Sequence, residues 1–185
     1  DEHGNILLTR QLADGVALAP PRPRHQPVAL DDLDVEVLAW SPGTPSGRPV
    51  EGDAVVIPAL ADSAAVTRWL QTVKGKFVLI SAPEVMCRAP QELERNARAT
   101  TITRLNTQRA EARRLAAERL NALAGSATGT RANRALSRLD SAGVIGIGTS
   151  AWSNGWGVNK VFGAVSERVP SMDLSCEDYG LLHRL

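Results

Sequence analysis

Apolar residues along this chain recur at two spacings, and each change of spacing predicts an element. Residues 5–8 are apolar enough for a short strand, but Pro20-Pro21-Arg22-Pro23 then imposes an extended linker. Between 34 and 40 apolar and polar positions alternate, which puts Val35, Val37 and Ala39 on one face of a half-buried strand. Prolines and glycines at 41–47 close it with a loop. A second strand is predicted over 53–58. A helix over 61–73 follows, with Ala65, Trp69 and Leu70 on one side and Asp62 or Ser63 as N-cap. Lys74-Gly75-Lys76 stops that helix, and the unbroken apolar run 77–81 predicts a strand buried on both faces.

From 88 onward the period becomes helical. Pro90 suits a helix start, and Leu93, Ala97, Ile102, Leu105, Ala112, Leu115, Ala116, Leu120 and Leu123 form one narrow apolar stripe. The glycines at 125 and 129 break it. A second helix over 131–141 then turns Ala135, Leu136 and Leu139 inward and ends at Ala142-Gly143. Strands are predicted again over 144–148, 160–165 and 169–175, with a loop over 149–159 whose Asn154-Gly155 favours a tight turn. Ser175 caps a last helix that carries Asp178 at its third position, and the pattern predicts that this helix runs on past Leu185. Strands alternating with helices make the expected class mixed α/β.

Composition narrows what such a chain does. At 185 residues and 43% hydrophobic it can bury one sizeable core, and with 4% aromatics that core is built from Ala, Val, Leu and Ile. A net charge of +1 excludes a broadly basic nucleic-acid binder and a highly charged disordered chain. The balance is uneven, however. Residues 88–138 hold eleven arginines, no lysine and four glutamates, for +7, and the remainder carries −6. That window has no aromatic residue, so a solvated face is expected there rather than contact with nucleic acid. No apolar run approaches the roughly 18 residues of a membrane-spanning helix, and Asp1-Glu2-His3-Gly4 does not begin a signal segment. Cys87 and Cys176 are too few for a disulfide scaffold or a cysteine-based zinc site; a single bond between them is left open.

Candidate chemistry is sparse. His3, His25 and His183 all lie near the ends and do not form a metal-binding motif, so no metal ligand is expected in this chain. Gly148-Thr149-Ser150-Ala151-Trp152 falls one glycine short of a nucleophile elbow, and Cys87 has no histidine nearby in sequence. Gly146-Ile147-Gly148-Thr149-Ser150-Ala151 fits the spacing of a dinucleotide fingerprint. Trp152-Ser153-Asn154-Gly155-Trp156-Gly157 then follows where the chemistry needs a helix, so the fingerprint is rejected. The loop with Trp152, Asn154, Trp156 and Asn159 combines large apolar rings with backbone freedom, a composition suited to contacting a ligand or partner.

Four separated segments together resemble a known family. They are Leu38-Ala39-Trp40-Ser41-Pro42-Gly43-Thr44, Val73-Lys74-Gly75-Lys76-Phe77-Val78-Leu79-Ile80, Ser141-Ala142-Gly143-Val144-Ile145-Gly146 and Val169-Pro170-Ser171-Met172-Asp173-Leu174-Ser175-Cys176-Glu177-Asp178-Tyr179. In that order they resemble the protease-associated (PA) domain carried as an insertion by bacterial zinc aminopeptidases and related carboxypeptidases. The resemblance covers 35–185, with 1–34 as a preceding segment and a helical insertion at about 88–141. It implies a swivelling β/β/α fold, a small β-sandwich or open barrel with flanking helices. It also implies a non-catalytic role beside the catalytic domain, as a lid over substrate access or a protein-contact surface, in a secreted or periplasmic enzyme. Zinc and its ligands would belong to the parent's catalytic domain, with no cofactor and no catalytic residue here. The implied partners are that domain and a peptide or protein substrate. The expected contact residues are Trp152, Asn154, Trp156 and Asn159 in one loop and Ser41 and Thr44 in another. The competing expectation is a stand-alone binding module that presents its arginine face to an acidic partner.

Overall fold

A computed structural model describes residues 33, 35–38, 40–44, 49–88, 90–125, 130–150 and 165–185. Its centre is β3 (Phe77–Leu79), buried at every position as the apolar run predicts. Phe77 and Leu79 face one way and Val78 the other. The strand lies parallel to β2 (Ala54–Val56) on one side and to β4 (Gly146–Thr149) on the other. Next to β4 comes β5 (Ser171–Leu174), again parallel, and β1 (Val35–Val37) completes the sheet as an antiparallel edge on β5. The class is therefore mixed α/β, with four parallel strands and several helices.

Parallel neighbours cannot be joined by a tight hairpin, so the chain crosses the sheet through helices. Between β2 and β3 runs α1 (Ser63–Thr72). Between β3 and β4 run α2 (Pro90–Asn96), α3 (Ala99–Ala124) and α4 (Arg131–Ala142). Val66, Leu123, Ala135 and Leu139 bring α1, α3 and α4 onto the face that carries Val78 and Ile147. On the opposite face α5 (Cys176–Arg184) lays Tyr179 and Leu182 against Phe77, Leu79, Met172 and Leu174. Among the described residues the strands form one sheet with helices on both faces, not the two packed sheets of a sandwich. Crossover helices on one face and α5 on the other occupy the surfaces that a second sheet would need.

The two glycines of the rejected fingerprint belong to this packing. A Cβ at Gly146 would stand 2.6 Å from Cδ1 of Phe77, and one at Gly148 would stand 2.7 Å from Cδ2 of Leu79. Side chains of β3 occupy the space that side chains of β4 would otherwise fill.

Helix ends follow the local chemistry. Of the two expected caps for α1 it is Asp62 whose carboxylate accepts the Ala65 amide, at 2.7 Å. Thr130 caps α4 through the Asn133 amide, and Gly143, in the left-handed region at φ 81°, ends that helix. The Ser175 hydroxyl accepts the Asp178 amide at 3.2 Å to open α5. The expected single stripe over 90–123 is divided, because Arg98 is extended (φ −68°, ψ 147°) and starts a new helix with its carbonyl. Leu93 and Leu105 are both buried, one from each side of the break. The stripe thus marks buried positions but does not register the change of axis.

The arginines explain why lysine is missing from this window. Nε of Arg134 and Nη1 of Arg138 donate to the carbonyls of Ala124 and Leu123, at 3.3 and 2.8 Å, where α3 ends and its dipole is negative. Arg109 and Arg113 both grip Glu84, at 2.9 and 2.7 Å, and Arg109 also reaches the Met86 carbonyl. Arg114 bridges Glu111 and Glu118, and its guanidinium holds the Glu111 carboxyl below the usual carboxylate range. A planar fork suits two-point contacts of this kind better than an ammonium does. Five of the eleven arginines are thereby turned to partners within the chain. Among the described residues no helix is long and apolar enough to cross a membrane.

Candidate functional site

The connection from β4 to β5 holds the loop with the two tryptophans, and the structure shows how both of its ends are held. At the carboxyl end of β4, the Thr149 hydroxyl is 3.1 Å from both the Met172 carbonyl and the carboxylate of Asp173. Asp173 is a fully buried acid on β5. The Ser150 amide donates to the Ser81 hydroxyl at 3.1 Å, and the phenol of Tyr179 donates to the Ser81 carbonyl at 2.7 Å. The Ser150 hydroxyl is buried and finds no hydrogen-bond partner among the described residues.

Ser81 opens a strap, residues 81–87, that runs from the end of β3 towards α2. Three independent ties hold it: Tyr179 on its first carbonyl, Glu84 against Arg109 and Arg113, and a disulfide from Cys87 to Cys176 at the start of α5. The sequence left that bond open; the two Cα atoms stand 5.6 Å apart. The carboxyl ends of parallel strands, where ligands bind in open α/β sheets, are therefore framed by a covalently fastened segment.

The connection returns at the opposite end of the sheet. The Ser166 hydroxyl donates to Asp140 on α4 at 2.8 Å and accepts the amides of Arg168 and Val169. The Ser166 amide donates to the Ser171 hydroxyl at 3.1 Å, and the Ser171 amide donates to the Ser41 hydroxyl at 2.6 Å. Ser41, expected at a contact surface, thus has its hydroxyl committed to the chain itself, and Thr44 is half-buried. Through Ser171 the 41–44 loop and the return of the β4–β5 connection share one anchor. Trp152, Asn154, Trp156 and Asn159 lie outside the described residues, as do His3, His25, the strand expected at 5–8 and all of the strand expected at 160–165 except Val165, which is in a bend.

Sequence reasoning missed Ser81, Tyr179 and Thr149, which do this anchoring, and it gave Trp40 no role of its own. Trp40 is 72% exposed beside Ser41, a large apolar ring in water of the kind found at contact surfaces. Its place between an alternating strand and a proline-glycine loop was the available signal. Among the described residues no three His, Cys, Asp or Glu side chains are grouped to hold a metal ion.

Comparison with known proteins returns nothing. The chain matches no family model, no curated protein and no solved structure.

Burial pushes the Tyr179 phenol well above its ordinary value. The native state then holds its proton more tightly than the unfolded chain, whose tyrosine titrates near pH ~10. The stability this contributes is complete below that pH and lost as pH rises beyond it. Tyr179 is the only tyrosine, so phenolate absorbance reports on it alone. In an alkaline titration the phenolate should appear together with the loss of helical circular dichroism. Ionisation near pH ~10 in a chain still folded would show that the Tyr179–Ser81 tie is not buried in solution.

Proposed function

We propose that the chain is a non-catalytic protease-associated domain of the swivelling β/β/α type. In this reading it serves as a lid or substrate-access module beside the zinc-bearing catalytic domain of an aminopeptidase-type enzyme. The observation that carries the reading is the register of β1 on β5. Val35 pairs with Leu174, so the first and last described strands of the sheet lie side by side. A domain inserted into another needs its two connections at one place. The order of the four resembling segments supplies the family, and the Cys87–Cys176 bond favours an oxidising, secreted or periplasmic compartment.

As a lid, such a domain excludes water from a neighbouring reaction site and shapes the path by which a peptide enters. In this reading Trp152 and Trp156 supply the contact area. The internal pairing of Arg109, Arg113, Arg114, Arg134 and Arg138 leaves less of the arginine face for an acidic partner, which weighs against the stand-alone binding module.

The test uses the whole polypeptide that carries this chain. Trp152→Ala and Trp156→Ala should change relative kcat/KM across a peptide panel by about tenfold for some members, with zinc content unchanged. Unchanged selectivity in both variants, or a parent protein with neither zinc nor peptidase activity, would overturn the reading.

A further inference from the structure

Over the carboxyl ends of β2 and β3, between α3 and α5, the molecule has a cavity of about 140 Å³. Its walls are apolar, with Ile57 and Ile80 following the two strands and Leu115 and Ala116 facing from α3. Three of the described side chains that line it are not apolar: Ser81, whose hydroxyl already accepts the Ser150 amide, Arg119 of α3 and His183 of α5. Among the described residues no acidic side chain lines it.

Arg119 differs from its neighbours on the same helix. Arg109, Arg113 and Arg114 all pair with glutamates. Arg119 is half-buried and makes no ion pair or hydrogen bond with the described residues. A guanidinium drawn partly out of water beside an apolar cavity, with no described carboxylate to meet it, is half of an anion site. The His183 imidazole reinforces this. Burial lowers its pKa, and the charges of Arg119 and Arg184 lower it further, so at neutral pH it is an uncharged group able to donate one hydrogen bond.

We infer that this cavity binds an apolar carboxylate that has no free ammonium group beside it. The hydrocarbon fills the pocket and the carboxylate pairs with Arg119. The volume is close to the ~150 Å³ that accommodates a benzene ring, so a branched side chain of about four carbons fits. With no acid among the described lining residues, a free amino acid is disfavoured, because its ammonium would sit unpartnered near Arg119 and His183. Two sources share the required chemistry: the C-terminal leucine, isoleucine or valine of a peptide, and a short branched fatty acid. The inference concerns this chain alone and does not depend on the peptidase reading.

The experiment is an NMR titration of the isotope-labelled chain with N-acetyl-L-leucine, N-acetyl-L-leucinamide, free leucine and 4-methylpentanoate. A saturable response at residues around the cavity is expected for the first and the last, at least about tenfold weaker for the amide and for free leucine. Tighter binding of N-acetyl-L-leucine than of 4-methylpentanoate assigns the site to peptide ends, and the reverse assigns it to fatty acids. Arg119→Gln should weaken the carboxylates about tenfold, Arg119→Lys should restore part of the loss, and Arg104→Gln on the same helix should change nothing. Ala116→Leu should block the pocket, with unfolding curves confirming that each variant is folded. No saturable response, equal binding of the amide, or indifference to Arg119→Gln in a folded variant would overturn the inference.

Discussion

Replacing Cys87 and Cys176 together by alanine should lower the stability of the chain by about 2–5 kcal/mol. The two cysteines are 89 positions apart, so the bond closes a long loop in the unfolded chain. The chain-entropy account puts a loop of that size near the top of the range, at roughly 4–5 kcal/mol. Little should be lost on the native side. The 81–87 strap keeps its ties through Tyr179, Arg109 and Arg113, and Cys176 is a first-turn residue behind the Ser175 cap. Urea unfolding should show a lower midpoint, with a steeper slope because the uncrosslinked chain exposes more surface when it unfolds. A reductant should produce the same shift in the wild-type chain and none in the double variant. A loss under about 1 kcal/mol would show that the strap is secured without its covalent tie.

Gly146→Ala should destabilise by about 1–3 kcal/mol, the usual cost of forcing a methyl group into a filled core. The sign is informative, since strand propensity alone would make alanine the better residue by roughly 0.5–1 kcal/mol. The added carbon would meet two ring atoms of Phe77, at 2.6 and 2.7 Å, in a ring already pinned between the sheet and α5. At Gly148 the clash is with Leu79 and Leu174 methyl groups, which can rotate aside, and Gly148→Ala should cost less. Phe77→Leu should recover part of the Gly146→Ala loss, and a double-mutant cycle in thermal or urea unfolding isolates that coupling. Additive effects would mean that the glycine is required for another reason.

Local chemistry was legible in the sequence and pairing was not. The buried run at β3, the capping acid at Asp62, the capping serine at 175 and the stop at Gly143 each depend on a few adjacent residues. Three-residue strands carry too little pattern to choose their neighbours, so neither the parallel order nor the return of β1 to β5 could be read. Side-chain direction was equally hidden. The loop composition around Ser41 gave a contact surface, but its hydroxyl turns inward to the Ser171 amide. The arginine run looked like a solvated face because periodicity does not reveal that Arg134 and Arg138 reach back to the end of the preceding helix. Tyr179 carried no motif at all. Its isolation as the only tyrosine, one turn into a capped helix, was the one hint of a specific task.

The pairing of Val35 with Leu174 also has a consequence in time. During synthesis β1 emerges when the strand that will accept it is still unmade, and its backbone groups stay with water until β5 arrives. The unit of β2, α1 and β3 is local and can assemble meanwhile, whereas the edge at β1 waits for the most distant contact in the sheet. Of the described strands the earliest made is then paired with the latest, and how fast the sheet closes depends on the length of chain in between.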